Sequence, residues 1–197
     1  MRRDSYAKGI GIWMVGLLLL LSPVIDASAQ AQQRTARNAP FPALQLPVPQ
    51  NEMESIYLGV PESGTFRVGD VKAQVVLIEI LSVYCPYCQR VAPLLNEVYE
   101  RIEKDPGLKG KIKIIGVGMS NSPYELNMFK EKFKVPFPLF PDANSEISKK
   151  FDVPGTPTFI GVKVDGKGAE QEVFYKPGAF KDASQFLADL IKAAGLK

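Results

Sequence analysis

The sequence predicts an α/β protein built on one mixed sheet with helices on both faces. Two apolar runs, residues 75–81 and 111–119, lack the alternation of a strand with one wet face and so read as strands buried on both sides. Amphipathic stretches follow each of them. An Asp-Gly turn between two further apolar runs then gives a hairpin before a last helix.

Taken in order, residues 65–71, flanked by Gly64 and containing Gly69, form a short strand or turn leading into the main fold. Residues 75–81 read VVLIEIL, with one acid, Glu79, inside an apolar strand. Over residues 86–104 the apolar positions Val91, Leu94, Leu95, Val98 and Ile102 recur every three or four residues, the stripe of a helix that ends at Asp105-Pro106-Gly107. The second strand carries Ile112, Ile114, Ile115 and Val117, and residues 122–134 give a helix with Leu126, Phe129 and Phe133 on one face. A short strand over 137–140 and a brief helix over 144–151 follow. Residues 158–164 form a strand, Asp165-Gly166 its turn and 171–175 the antiparallel return. Asp182, with Gln185 three residues on, starts a closing helix whose stripe is Ala183, Phe186, Leu187, Leu190, Ile191 and Ala194. The chain carries no internal repeat.

Composition narrows the function. At 197 residues, 46% hydrophobic and 23% charged, the chain holds one domain plus extra segments and has enough apolar residues for a core. It contains no histidine, which excludes imidazole bases, His-based triads and histidine metal sites. Its two cysteines cannot complete a four-ligand zinc site, so no metal is expected. A net charge of +3 is too small for a nucleic-acid binder.

The first 29 residues read as a secretory signal. Arg2, Arg3 and Lys8 precede an apolar run over 10–25, and Ala27-Ser28-Ala29 supplies small residues before a cut. An uncleaved membrane anchor is the alternative, because the run approaches the length that spans a bilayer. The expected location is periplasmic or otherwise extracytoplasmic. Residues 30–51, with Pro40, Pro42, Pro47 and Pro49 among glutamines and alanines, read as a flexible linker, leaving 52–197 as the folded domain.

The chemistry concentrates at Cys85-Pro86-Tyr87-Cys88, where the first buried strand hands over to its helix. Cys85 falls at the N-cap and Pro86 at the first helical position, where a missing N–H costs nothing. Unpaired N–H groups and the helix dipole favour negative charge on the Cys85 sulfur. A C-x-x-C thiol in this setting falls from about 8.5 to between roughly 3.5 and 7.5, so a thiolate nucleophile exists near neutral pH. One turn on, Cys88 can attack a mixed disulfide formed at Cys85 and expel the partner thiol. A purely structural disulfide there would enclose too short a loop to stabilise much.

Strand, C-P-Y-C, helix and the later Thr156-Pro157 resemble the thioredoxin superfamily, and the extra helix and strand near 122–140 resemble the insertion of exported TlpA-like and ResA-like members. The resemblance implies a thioredoxin fold, with the helix and strand near 122–140 as an added unit. Its buried acid six positions before the first cysteine corresponds to Glu79, and its proline five after the second to Pro93. A carboxyl in so apolar a strand has a raised pKa and can exchange a proton, through water, with the reacting cysteine. The family's cis-proline corresponds to Pro157, which with Thr156 would pair with an extended substrate segment. Pro86 and Tyr87 complete the expected substrate-binding residues.

Residues 79–86 also resemble the DsbA-like strand, and Tyr84 stands where thioredoxin and TlpA-like members carry tryptophan. Tyr87 brings no cation to the thiolate, so an intermediate potential is expected, with reduction favoured over oxidation. The expected activity is thiol–disulfide exchange with protein thiols and disulfides, with a membrane electron-transfer protein as a candidate partner and no cofactor beyond the Cys85–Cys88 pair. A thiol peroxidase is a second reading: Ser82 matches the peroxiredoxin hydroxyl, but Ile78 stands where those proteins have proline. A non-enzymatic chaperone or Cu(I) carrier using the two sulfurs is a third.

Overall fold

A computed structural model describes residues 40–165, 167, 168 and 170–196. Its centre is β3 (Val75–Leu81), in which every residue is buried. Parallel to β3 runs β4 (Ile112–Met119), and parallel to that β5 (Leu139–Asp142). On the other side β6 (Thr158–Val164) pairs antiparallel with β3, and β7 (Glu170–Pro177) antiparallel with β6, giving the order β5-β4-β3-β6-β7. The predicted mixed sheet is therefore present.

Both parallel connections cross the same face of the sheet. They run through α2 (Pro86–Lys104) and α3 (Pro123–Phe133), and the closing α5 (Ala183–Ala194) packs beside α2. Val75, Leu77 and Leu81 point into this layer against Val91, Leu95 and Val98 of α2 and Phe186 and Leu190 of α5. Each such fully buried side chain contributes about 1.5–3 kcal/mol. Strand alternation sends Val76, Ile78 and Ile80 to the opposite face. There they meet Phe140, Phe151 and the N-terminal segment, with α4 (Glu146–Lys150) alongside.

Residues 40–51 depart from the expected linker. Phe41, Leu44 and Leu46 are buried, and β1 (Gln45–Pro47) pairs antiparallel with β2 (Thr65–Arg67). The prolines leave every second side chain free to enter the second core, so the segment packs although its composition is that of a tether. After it comes α1 (Glu52–Leu58), a helix the apolar pattern does not announce; Asn51 caps its start and Gly59, at φ 66°, ends it. The export signal expected over 1–29 and the linker up to residue 39 lie outside the described residues. Among the described residues no helix is long and apolar enough to cross a membrane.

The hairpin differs in its turn. Val164 lies opposite Glu170, so the connection spans residues 165–169 instead of a two-residue Asp165-Gly166 turn, and Gly166 and Ala169 lie outside the described residues.

Candidate active site at the start of the long helix

Strand β3 ends in the core, and three residues, 82–84, carry the chain to the surface at the start of α2. That short loop is pinned from three sides. The Cys85 N–H donates to the Ser82 carbonyl at 3.0 Å, the Gln89 side-chain amide to the Val83 carbonyl at 2.9 Å, and the Val83 N–H to Asn121 Oδ1 at 3.0 Å. Asn121, fully buried between β4 and α3, is a site residue that local sequence pattern did not single out.

Cys85 is the N-cap of α2 with extended backbone, and Pro86 occupies the first turn, as the sequence predicts. Both sulfurs are free thiols, Cys85 partly exposed and Cys88 buried. The Cys85 thiol donates to the Thr156 carbonyl at 3.1 Å, which brings the helix start against the loop before β6. Burial by itself would push the Cys85 thiol up. Hydrogen bonding from the Thr156 hydroxyl, from the Cys88 N–H and thiol and from the Tyr87 N–H outweighs burial, and the thiol lies below its ordinary value. Cys88 moves the other way: burial raises it, and the nearby Glu79 carboxylate raises it further. The two sulfurs are three residues apart and oppositely perturbed.

Glu79 is 3% exposed. It lies on the same face of β3 as Leu77 and Leu81, beneath α2, and its Oε1 has no hydrogen-bond partner. Burial, with a smaller contribution from the charge of Cys85, raises its carboxyl to about 8. Opposite it on β4 stands Gly116, where a Cβ would run into Leu139 and Leu81, so the strand can approach there only without a side chain.

The Thr156–Pro157 peptide bond is cis. Its loop is held by the Thr158 hydroxyl donating to the Gly155 carbonyl at 2.7 Å and by the Gly178 N–H donating to the Pro157 carbonyl at 2.8 Å. Between this loop, the first two turns of α2 and the β7–α5 connection lies an open groove of about 1150 Å³. Tyr87, Thr156 and Pro157 line it; Pro86 does not, and acts on the helix start instead. The structure thus gathers Cys85, Cys88, Glu79, Tyr87, Thr156 and Pro157 about one end of the inner strands β3 and β6. On the far side of Cys85 the exposed Tyr84 hydroxyl donates to the Glu125 carboxylate of α3.

The fold that carries this site is shared with known proteins. The AhpC/TSA family model matches residues 38–178. The chain belongs to the AhpC/TSA family. Its fold is thioredoxin-like. The thioredoxin domain of a thiol-disulfide oxidoreductase from Bacteroides vulgatus aligns with a TM-score of 0.57 at 16% identity, covering 81% of this chain and 97% of that one. A secreted Mycobacterium tuberculosis disulfide oxidoreductase homologous to Escherichia coli DsbE aligns at 0.52 and 16%, covering 83% and 98%. In sequence the chain is distantly homologous to the thiol-disulfide oxidoreductase ResA. The Geobacillus thermodenitrificans protein is 24% identical over 106 residues, 54% of this chain and 58% of that relative. The match to these relatives therefore covers little more than half their length.

Proposed function

We propose that this protein is an extracytoplasmic thiol–disulfide oxidoreductase acting on protein disulfides, with reduction as the favoured direction. One observation carries the reading: the partly exposed Cys85 is shifted toward thiolate at a helix N-terminus, while the buried Cys88 is held protonated beside a buried acid. That asymmetry separates an attacking sulfur from a resolving one.

In the reductive half-reaction the Cys85 thiolate attacks one sulfur of a substrate disulfide. A Cys85–substrate bond forms, the substrate S–S bond breaks, and the departing thiolate takes up a proton. Consuming the charge on Cys85 removes the smaller of the two influences that raise Glu79, burial being the larger, so its carboxyl releases its proton to water more readily and, as the carboxylate, accepts the Cys88 proton through water. The Cys88 sulfur then attacks Cys85 and expels the second substrate thiol. Two electrons pass from dithiol to substrate, and a dithiol donor, for which a membrane electron-transfer protein is the candidate, must return them. Thr156 and Pro157 shape the docking groove and Tyr87 its rim, while Pro86 sets the helix start.

The location rests on the sequence of residues 1–29. Expression of the full chain should give an exported product whose N-terminus follows Ala29, or a membrane-retained one if the segment stays as an anchor; retention in the cytoplasm would overturn the location. For the chemistry, Cys88→Ser should accumulate mixed disulfides with exported proteins at Cys85, and an empty trap would count against protein substrates. The reduction potential against glutathione should fall between about −270 mV and −120 mV, the thioredoxin and DsbA values. The reductase direction requires the lower half of that range.

A further inference from the structure

The groove beside Cys85 has an uneven charge. Its walls are apolar at Leu94, Pro157 and Phe180, and among the described residues the formally charged side chains lining it are two cations, Arg90 and Lys181. Among the described residues no carboxylate lines the groove. Both are exposed, and among the described residues neither belongs to an ion pair. The Arg90 guanidinium lies over the Tyr87 ring, 4.3 Å from its centre, which fixes it at the groove's edge two residues after Cys88. A guanidinium held over a ring can still take a carboxylate bidentately through its N–H groups.

We propose that this groove selects protein segments that carry an acidic side chain beside an apolar one next to their reactive cysteine. The inference rests on the thiol–disulfide exchange reading and adds a substrate class to it. The apolar side chain fills the wall at Leu94 and Phe180, and the carboxylate meets Arg90 and Lys181. A segment with a basic flank instead meets two unpaired cations and the positive end of α2, and is excluded.

The test uses the reduced full-chain protein and three peptides, each with its single cysteine blocked as a 2-pyridyl disulfide. The peptides are identical except for a Glu, Gln or Lys at the same flanking position. The Cys85 thiolate attacks the peptide sulfur, the bond to the pyridyl sulfur breaks, and the thiopyridone that leaves with the electron pair is followed by its absorbance. At low ionic strength the Glu peptide should react about fivefold faster than the Gln peptide, and the ratio should fall toward one in about 0.5 M salt. In the doubly reversed variant, Arg90→Glu with Lys181→Glu, the preference should pass to the Lys peptide. Equal rates for all three peptides overturn the selectivity and leave the exchange chemistry standing. A Glu preference that survives charge reversal overturns the assignment to Arg90 and Lys181. If no peptide releases thiopyridone, the exchange reading fails and this inference fails with it.

Discussion

Two helices in this molecule begin with the same device and finish it differently. Ser122-Pro123-Tyr124 opens α3 and Cys85-Pro86-Tyr87 opens α2, each at the end of a parallel strand, with a cap residue followed by proline in the first turn. At α3 the box is closed. Ser122 Oγ accepts the Glu125 N–H at 3.3 Å, and the Glu125 carboxylate accepts the Ser122 N–H and hydroxyl, both at 2.7 Å. At α2 sulfur stands in both positions, Cys85 at the cap and Cys88 three residues on, and the cap thiol closes no box with its own helix but donates to the Thr156 carbonyl. The donors that α3 uses for stability are left at α2 to favour a thiolate. The acid missing from the α2 box comes instead from beneath, as Glu79, buried and protonated up to about pH 8.

The largest break in this comparison is Cys85→Ser, which makes the α2 cap resemble the α3 cap. Exchange activity should fall to background, by at least about a thousandfold, because an alkoxide is inaccessible where a thiolate is not. Stability in urea should stay within about 1 kcal/mol of the parent, since Ser is a good N-cap. An insulin-reduction assay retaining more than a few per cent of activity would show that Cys85 is not the nucleophile.

Glu79→Gln sharpens the same comparison through pH. Between its ordinary value of 4.5 and about 8, the folded chain holds a proton on Glu79 that the unfolded chain has released. The unfolded state binds fewer protons there, so this group makes stability fall as pH rises through the window and level off above it. The parent should lose a few kcal/mol relative to the Gln variant between about pH 5 and 8 in urea titrations. Parallel stability curves would mean that Glu79 ionises normally.

The contrast between the two helix starts was half legible in the sequence. The helix over 86–104 and the strand over 158–164 follow the expected bounds, because apolar period and Pro at the first turn are local signals. The C-x-x-C chemistry, Glu79 and the Thr156–Pro157 loop were readable as single residues; their convergence at one end of the inner strands was not, since it depends on β6 pairing with β3 across some eighty residues of chain. For the same reason no local pattern marks Asn121 or Arg90. Segment 40–51 misled because prolines in an edge strand and prolines in a tether have the same composition, and only the pairing of Leu46 with Phe66 distinguishes them. Helix α1 is seven residues long, too short for a periodic stripe to stand out, although Asn51 and Gly59 mark both its ends.

Ser122→Ala opens the closed box at α3 and should cost about 1 kcal/mol, read as a lowered urea midpoint with unchanged slope. The Cys85 alkylation rate should change by less than about twofold, because the donors that favour its thiolate belong to α2. A large loss of Cys85 reactivity would mean that the two helix starts are coupled.

One route for such coupling is Tyr84, whose hydroxyl reaches the same Glu125 carboxylate that closes the α3 box. This bond raises the Tyr84 phenol and lowers the Glu125 carboxyl, yet both groups are solvated, so the pair is screened and easily exchanged for water. Tyr84→Phe keeps the ring and removes the bond. The smallest effect of the set is expected: a melting temperature within about 2 °C of the parent and an alkylation rate at Cys85 within about twofold. The loop is already held by Asn121, Gln89 and the Ser82 carbonyl, three contacts that Tyr84 does not share. A tenfold slower Cys85 in Tyr84→Phe would place the control of the thiolate in α3 and undo the separation between the two helix starts.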